Sequence, residues 1–158
     1  MKIFNDYTHQ LLKHLNENQV QYLIVGGYAV NFHGYRRTTG DIDLWIKPDN
    51  GSNKDSIIQS FRNLQVDEST LENLKDLDFT KPVVFMDGEE PFKIDFMTYI
   101  SGVNFEEAWK QKTVAEFEGL AIPFVDLNHL LISKITSNRP QDKMDVEKLQ
   151  QIQQLKKK

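Results

Sequence analysis

The sequence contains no cysteine. Disulfide staples, thiolate nucleophiles and cysteine–zinc sites are therefore excluded, and a reducing compartment is compatible with the chain. It also has no apolar run approaching the roughly 20 residues that span a bilayer. The first ten residues, MKIFNDYTHQ, lack the apolar core and small-residue cleavage site of a signal peptide. Cytoplasmic residence is expected, with no membrane partner. An excess of positive charge is missing too, since the formal net charge is −4 at pH 7. A protein held along duplex nucleic acid by phosphate neutralisation is usually basic. Extended duplex binding is thus disfavoured, while contact with an RNA end or a small acceptor stays open.

What is present is ordinary globular composition: 158 residues, 39% hydrophobic and 27% charged. That is enough chain to bury a core as one domain spanning 1–158. Apolar residues at helical spacing (Tyr7, Leu11, Leu12, Leu15) predict a helix over 4–18. A short buried strand is expected over 22–26, closing on a glycine pair, then a helix over 28–33 stopped by Gly34. Strict alternation predicts a strand over 41–47, and Ile57, Ile58, Phe61 and Leu64 predict a helix over 56–64. Residues 65–81 have room for one short helix. A hairpin is expected from 82–86 and 92–99 around a loop at 87–90, then a short helix over 105–110 and a second strand pair, 113–117 with 120–125. Helices over 127–136 and 142–155 finish the chain. The order predicts an α+β (α/β-like) fold with one sheet covered by helices, a core over about 20–125 and a C-terminal helical segment over about 126–155.

The chemistry concentrates in the strand Asp41-Ile-Asp-Leu-Trp-Ile46. Side chains alternate faces along a strand, so Ile42, Leu44 and Ile46 point one way and Asp41, Asp43 and Trp45 the other. The two carboxylates start about 6–7 Å apart at the backbone and repel each other as their tips converge. A hard divalent cation removes that conflict, because magnesium takes carboxylate, phosphate and water oxygens. In Phe92-Lys-Ile-Asp-Phe96 the same alternation puts Lys93 and Asp95 together. If that strand lies beside the first, Asp95 joins as a third acid, and three carboxylates suit a two-ion phosphoryl-transfer site. An EF-hand is rejected, since Trp45 and Ile46 occupy its third ligand position and its glycine position. Gly26-Gly27 lets a phosphate approach the backbone at a helix start, but it is not a dinucleotide-binding G-x-G-x-x-G. The loop before Asp41 carries Arg37 and Thr39, suited to phosphate contact or, equally, to an ion pair and a turn.

The tail adds an independent clue. On a helical wheel Leu127, Leu130, Leu131 and Ile135 make an apolar stripe, and Lys134 falls inside it. Either the lysine snorkels to solvent or it faces a polar pocket. Asp142 and Asp145 lie near the inward stripe of the last helix, where acids also suit the helix start after Pro140. His33 reads as a packed or capping histidine.

The run Gly26-Gly-Tyr-Ala-Val-Asn-Phe-His-Gly-Tyr-Arg-Arg-Thr-Thr-Gly-Asp-Ile-Asp-Leu44 resembles the signature of the polymerase-β-type nucleotidyltransferases. Within that superfamily it looks closest to the bacterial group of abortive-infection type IV toxins and related small transferases. The resemblance resumes at Lys134, Arg139, Asp142 and Asp145, with Gln141 where a lysine is usual. It implies a mixed sheet flanked by helices and transfer of an NMP from an NTP to a hydroxyl acceptor. It implies that Asp41, Asp43 and Asp95 are catalytic and hold Mg2+ or Mn2+, as two ions. Gly26, Gly27, Arg37, Thr39 and Lys134 would bind the nucleotide, with Asp142 and Asp145 as additional site residues. The acceptor is expected to be a tRNA end, a partner protein or a small molecule, within a toxin–antitoxin or phage-defence system. The alternative is a catalytically silent nucleotide- or partner-binding antitoxin module of the same fold.

Overall fold

A computed structural model describes residues 3–88 and 90–157. Positions 1, 2, 89 and 158, which include one residue of the expected 87–90 loop and the last lysine of the tail, lie outside the described residues. The elements run α1 (Asp6–Glu17), β1 (Tyr22–Val25), α2 (Gly26–Phe32), β2 (Ile42–Ile46), α3 (Ser52–Asn63), α4 (Glu68–Asp76), β3 (Val84–Asp87), β4 (Ile94–Met97), α5 (Phe105–Lys110), β5 (Thr113–Phe117), β6 (Leu120–Phe124), α6 (Leu127–Ser137) and α7 (Pro140–Lys156). The strands make one mixed six-stranded sheet in the order β3-β4-β2-β1-β6-β5. Strand β2 runs antiparallel to β1 and parallel to β4, and β1 runs parallel to β6. Two antiparallel hairpins, β3–β4 and β5–β6, close the edges. No helix among the described residues is long and apolar enough to cross a membrane.

Local chemistry sets the helix starts. Asn5, Asp67, Asn104 and Asp126 each accept a backbone N–H of the first turn of α1, α4, α5 and α6. Asn138, in the left-handed conformation (φ 54°), ends α6 and turns the chain into α7, which opens on Pro140. The core fills both faces of the sheet. Phe61 of α3 meets Phe96 of β4 at 5.6 Å between ring centres on one face. Phe105 of α5 meets Trp45 of β2 at 5.0 Å on the other. Trp45 is therefore buried, and its Nε1 donates to the Thr98 carbonyl at 3.2 Å.

Three sequence expectations are corrected. Helix α3 starts at Ser52 rather than at residue 56. Its first turn faces inward with polar residues, so apolar spacing misses it. Asn53 accepts from the Gln21 N–H at 2.7 Å, and buried Lys54 donates to the Lys75 and Leu77 carbonyls at the end of α4. Asp87 belongs to β3, opposite Ile94, and not to the hairpin loop. Ile135 is 56% exposed, so the buried stripe of α6 is Leu130, Leu131 and Lys134.

Register and cover position the site. Met86 lies opposite Asp95, and Val84 opposite Met97. Cross-strand neighbours share a face, so all four lie on the face of Asp43 and Trp45. There α5 roofs Trp45, whereas Val84 and Met86 stay more than 60% exposed. The acid-bearing face is thus open over β3 and β4.

Candidate active site

The parallel pairing of β2 with β4 sets Asp43 directly beside Asp95, one strand spacing of about 4.8 Å away. Asp41 sits one residue before β2, two residues from Asp43 and on the same face. The expected third acid is therefore delivered by sheet order alone. Burial, then the neighbouring Asp95 and Asp41 carboxylates, push the Asp43 carboxyl up to about 7. One oxygen of Asp41 and one of Asp95, both Oδ1, are shielded from solvent and have no hydrogen-bond partner. The Lys93 ammonium lies 3.3 Å from Asp41 Oδ2, 3.5 Å from Glu90 Oε1 and 4.0 Å from Asp95 Oδ1. Lys93 was not among the expected site residues. Its i,i+2 spacing from Asp95 was the available signal.

The glycine pair has a steric reason beyond backbone freedom. Gly26 has φ +66°, and a Cβ there would stand 2.1 Å from Asp43 Oδ2. A Cβ on Gly27 would stand 1.9 Å from Thr39 Oγ1. The glycines thus admit the Asp43 carboxylate and the Thr39 hydroxyl to the start of α2.

The tail residues form a second cluster. Lys134, Asp142 and Asp145 are buried. Lys134 Nζ lies 3.3 Å from Asp142 Oδ1 and 3.0 Å from Asp145 Oδ2. The expected pocket lysine therefore faces inward and does not snorkel. Arg37 grips Asp145 with two bonds, Nε to Oδ1 at 2.8 Å and Nη2 to Oδ2 at 2.9 Å. Its Nη1 donates to the Thr38 carbonyl. The Arg37 guanidinium is thus committed to the tail, and it fixes the loop that carries Thr39. Asp142 Oδ2 accepts from the Ser137 hydroxyl at 2.6 Å and from Arg139 Nε at 2.9 Å. Burial alone would raise Asp142, but those hydrogen bonds and Lys134 outweigh it and hold the carboxyl down to about 2. Asp145 is lowered in the same way: burial opposes, and bonds from Arg37, Lys134 and Gln141 prevail. Gln141 Nε2 donates to Asp145 at 2.9 Å, so the residue that replaces the usual lysine serves the same cluster.

The two clusters border two adjoining clefts. One of about 590 Å3 runs from Asp43 and Asp95 along Met97, Tyr99 and Ile100 to Leu130 and Ser133 of α6. The other, of about 430 Å3, lies over Gly26, Gly27, Thr39 and Asp41. Gly26, Asp43, Asp95, Lys134, Arg139 and Asp142 line both. The cleft therefore joins an acidic wall with unpaired oxygens to a basic wall of Lys134 and Arg139. Hard carboxylate oxygens are the donor set that Mg2+ or Mn2+ takes, and the orphaned oxygens of Asp41 and Asp95 fit such an ion. As they stand, no group of three or more His, Cys, Asp or Glu among the described residues is placed to hold a metal ion.

The site thus stands on a mixed sheet with paired acids on the adjacent strands β2 and β4 and helices on both faces. Residues 1–157 match the family model described as Nucleotidyltransferase of unknown function (DUF6036), and the chain belongs to that family of transferases. No curated protein sequence matches the chain. Solved structures share its fold, among them the following two. TM1012 of Thermotoga maritima, assigned to the nucleotidyltransferases, aligns over 96% of this chain and 89% of its own, at 13% identity and a TM-score of 0.51. The lincosamide antibiotic adenylyltransferase LnuA, bound to lincomycin, aligns over 93% of this chain and 97% of its own, at 15% identity and a TM-score of 0.50.

Proposed function

We propose that this nucleotidyltransferase moves an NMP from an NTP to a hydroxyl acceptor in the cleft between the carboxylates and α6. The observation that carries the reading is the set Asp41, Asp43 and Asp95 on one face, with two shielded oxygens lacking partners. Mg2+ or Mn2+ held by these three residues, as two ions, would supply charge stabilisation at the transferred phosphorus. Gly26 and Gly27 line the cleft beside Asp43 and Thr39, where the start of α2 would take the phosphates. Lys134 and Arg139, on the facing wall, offset phosphate charge as it develops. Arg37 acts as a positioning residue, holding Thr39 over Gly27 through its grip on Asp145.

In the reaction the acceptor oxygen attacks the α-phosphorus in line. An oxygen–phosphorus bond forms, the bond to pyrophosphate breaks, and the hydroxyl proton passes to Asp95. The apolar strip of Met97, Tyr99 and Ile100 borders the larger cleft, on the Asp95 side. The acceptor is a tRNA end, a protein side chain or a small molecule. The resemblance to abortive-infection toxins supports a toxin–antitoxin setting, in which a partner protein would be encoded alongside.

Incubation with each labelled NTP, bulk tRNA and cell lysate tests the reading. Label is expected in one of the RNA, protein or small-molecule fractions, and that fraction names the acceptor. Nucleotide binding that is indifferent to Mg2+ and Mn2+, and unchanged by Asp41→Asn with Asp43→Asn, would sink it.

A further inference from the structure

The geometry points to Lys93 as a built-in counter-ion that occupies the carboxylate cluster of the metal-free enzyme and must move to Glu90 before a divalent cation can bind. The inference rests on the metal reading above and concerns how the site is held ready for it.

Three observations carry it. First, Lys93 precedes β4 by one residue and shares a face with Asp95, so alternation aims its stem at the acid pair. Its ammonium lies 3.3 Å from Asp41 Oδ2, whose other oxygen has no hydrogen-bond partner, and 4.0 Å from Asp95 Oδ1, which has no hydrogen-bond partner either. Second, the cluster carries three carboxylates on adjoining positions of one sheet face. With every carboxylate ionised, Lys93 reduces the local charge from −3 to −2. A divalent cation entering beside it would meet a like charge within a few ångströms. Third, an alternative partner is already in place. Glu90 Oε1 stands 3.5 Å from the same ammonium, on a side chain that is 70% exposed. A lysine stem of four carbons can swing outward to Glu90 without backbone change.

Lys93 therefore does two jobs at different times. Without metal it relieves repulsion between carboxylates that the sheet register forces together. With metal it pairs with Glu90 and leaves the acid oxygens free. The exchange sets a concentration threshold for the divalent cation, because displacing Lys93 costs part of the binding energy.

The test is Mn2+ binding to the full chain without nucleotide, followed by electron paramagnetic resonance at fixed ionic strength. Lys93→Met is expected to bind Mn2+ on the order of tenfold more tightly than wild type, since the competing charge is gone. In EDTA the same variant is expected to melt lower than wild type, and to gain more on adding Mn2+. Glu90→Gln is expected to weaken Mn2+ binding about two- to threefold, because the displaced ammonium loses its alternative partner. Equal or weaker Mn2+ affinity in Lys93→Met overturns the proposal and leaves the metal site standing. If Lys93→Met does not fold, unchanged affinity in Glu90→Gln overturns it. The Asp41→Asn, Asp43→Asn pair is the control for the site itself. Wild type that binds Mn2+ no better than that control overturns the metal reading, and this proposal with it.

Discussion

Two groups of aspartates face one cleft, and their electrostatics are opposite. Asp142 and Asp145 come from α7 and are saturated: Lys134, Arg37, Arg139, Ser137 and Gln141 satisfy them, and both are held below the usual carboxylate range. Asp41, Asp43 and Asp95 lie just before β2, on β2 and on β4, and are starved: Lys93 is the one ammonium within 4.0 Å of them among the described residues, two oxygens have no hydrogen-bond partner, and Asp43 is pushed up to about 7. A saturated carboxylate is framework, because its charge is spent on fixing neighbours. A starved one stores an unmet demand for positive charge, which is what a cation-dependent site needs. The tail cluster thus holds Lys134 and the Arg37 loop in place, and the strand cluster is left for chemistry.

That contrast breaks most sharply under substitution. Asp43→Asn is expected to lower turnover by about a thousandfold or more, the scale on which a residue acting directly on the reacting groups is felt. Stability of the metal-free protein should hold or rise, since a repelled charge is removed. Parallel activity assays and urea unfolding check both halves. A stable Asp43→Asn protein with wild-type turnover would end the division of labour.

Asp145→Ala should behave the other way. It leaves Arg37 and Lys134 beside one another without their shared partner, and breaking a buried pair costs about 3–5 kcal/mol. Unfolding at lower urea is expected first, with activity lost only as the Arg37 loop loosens. If stability is unchanged, the tail cluster is not framework.

The smallest effect, and the most discriminating, is pH dependence without divalent metal. The folded-state value of Asp43 lies above its unfolded value of about 4, so its protonated form is favoured by folding. The stability it adds is complete below about pH 4 and is lost as pH rises through about 7. For Asp142 the folded value is lowered to about 2. Its contribution is present above about pH 4 and is lost as pH falls through about 2. Melting temperature should therefore decline on both sides of a mildly acidic optimum. Asp43→Asn should flatten only the upper limb, and adding Mg2+ should do the same. A wild-type upper limb that survives Asp43→Asn would assign the effect elsewhere.

The strands, the acid pair and the final helices were legible because their signals are local. Period-two alternation placed Asp41, Asp43 and Asp95 on polar faces before any pairing was known, and helical spacing turned Lys134 and Asp145 inward. What local spacing missed was decided at a distance. The start of α3 is disguised because its inward face is polar: Asn53 and Lys54 are satisfied by Gln21 and by the end of α4, not by apolar packing. Ile135 left the buried stripe because α6 presents Lys134 to α7 instead. The commitment of Arg37 to Asp145 spans 108 residues, and no spacing rule reaches that far.

The sequence by itself determined which residues bear charge, which face of each strand they take, and that a glycine pair precedes the acids. Those properties follow from side-chain chemistry and backbone periodicity, which act over a few residues. Only the tertiary structure decided which charges are paired. The sheet order β3-β4-β2 put Asp95 beside Asp43 and Lys93 against Asp41, while the α6–α7 turn brought Lys134 to Asp142 and Asp145. Charge interactions fall off over a few ångströms of space whatever the distance along the chain. One set of aspartates therefore became scaffold and the other a site by where the fold delivered the cations.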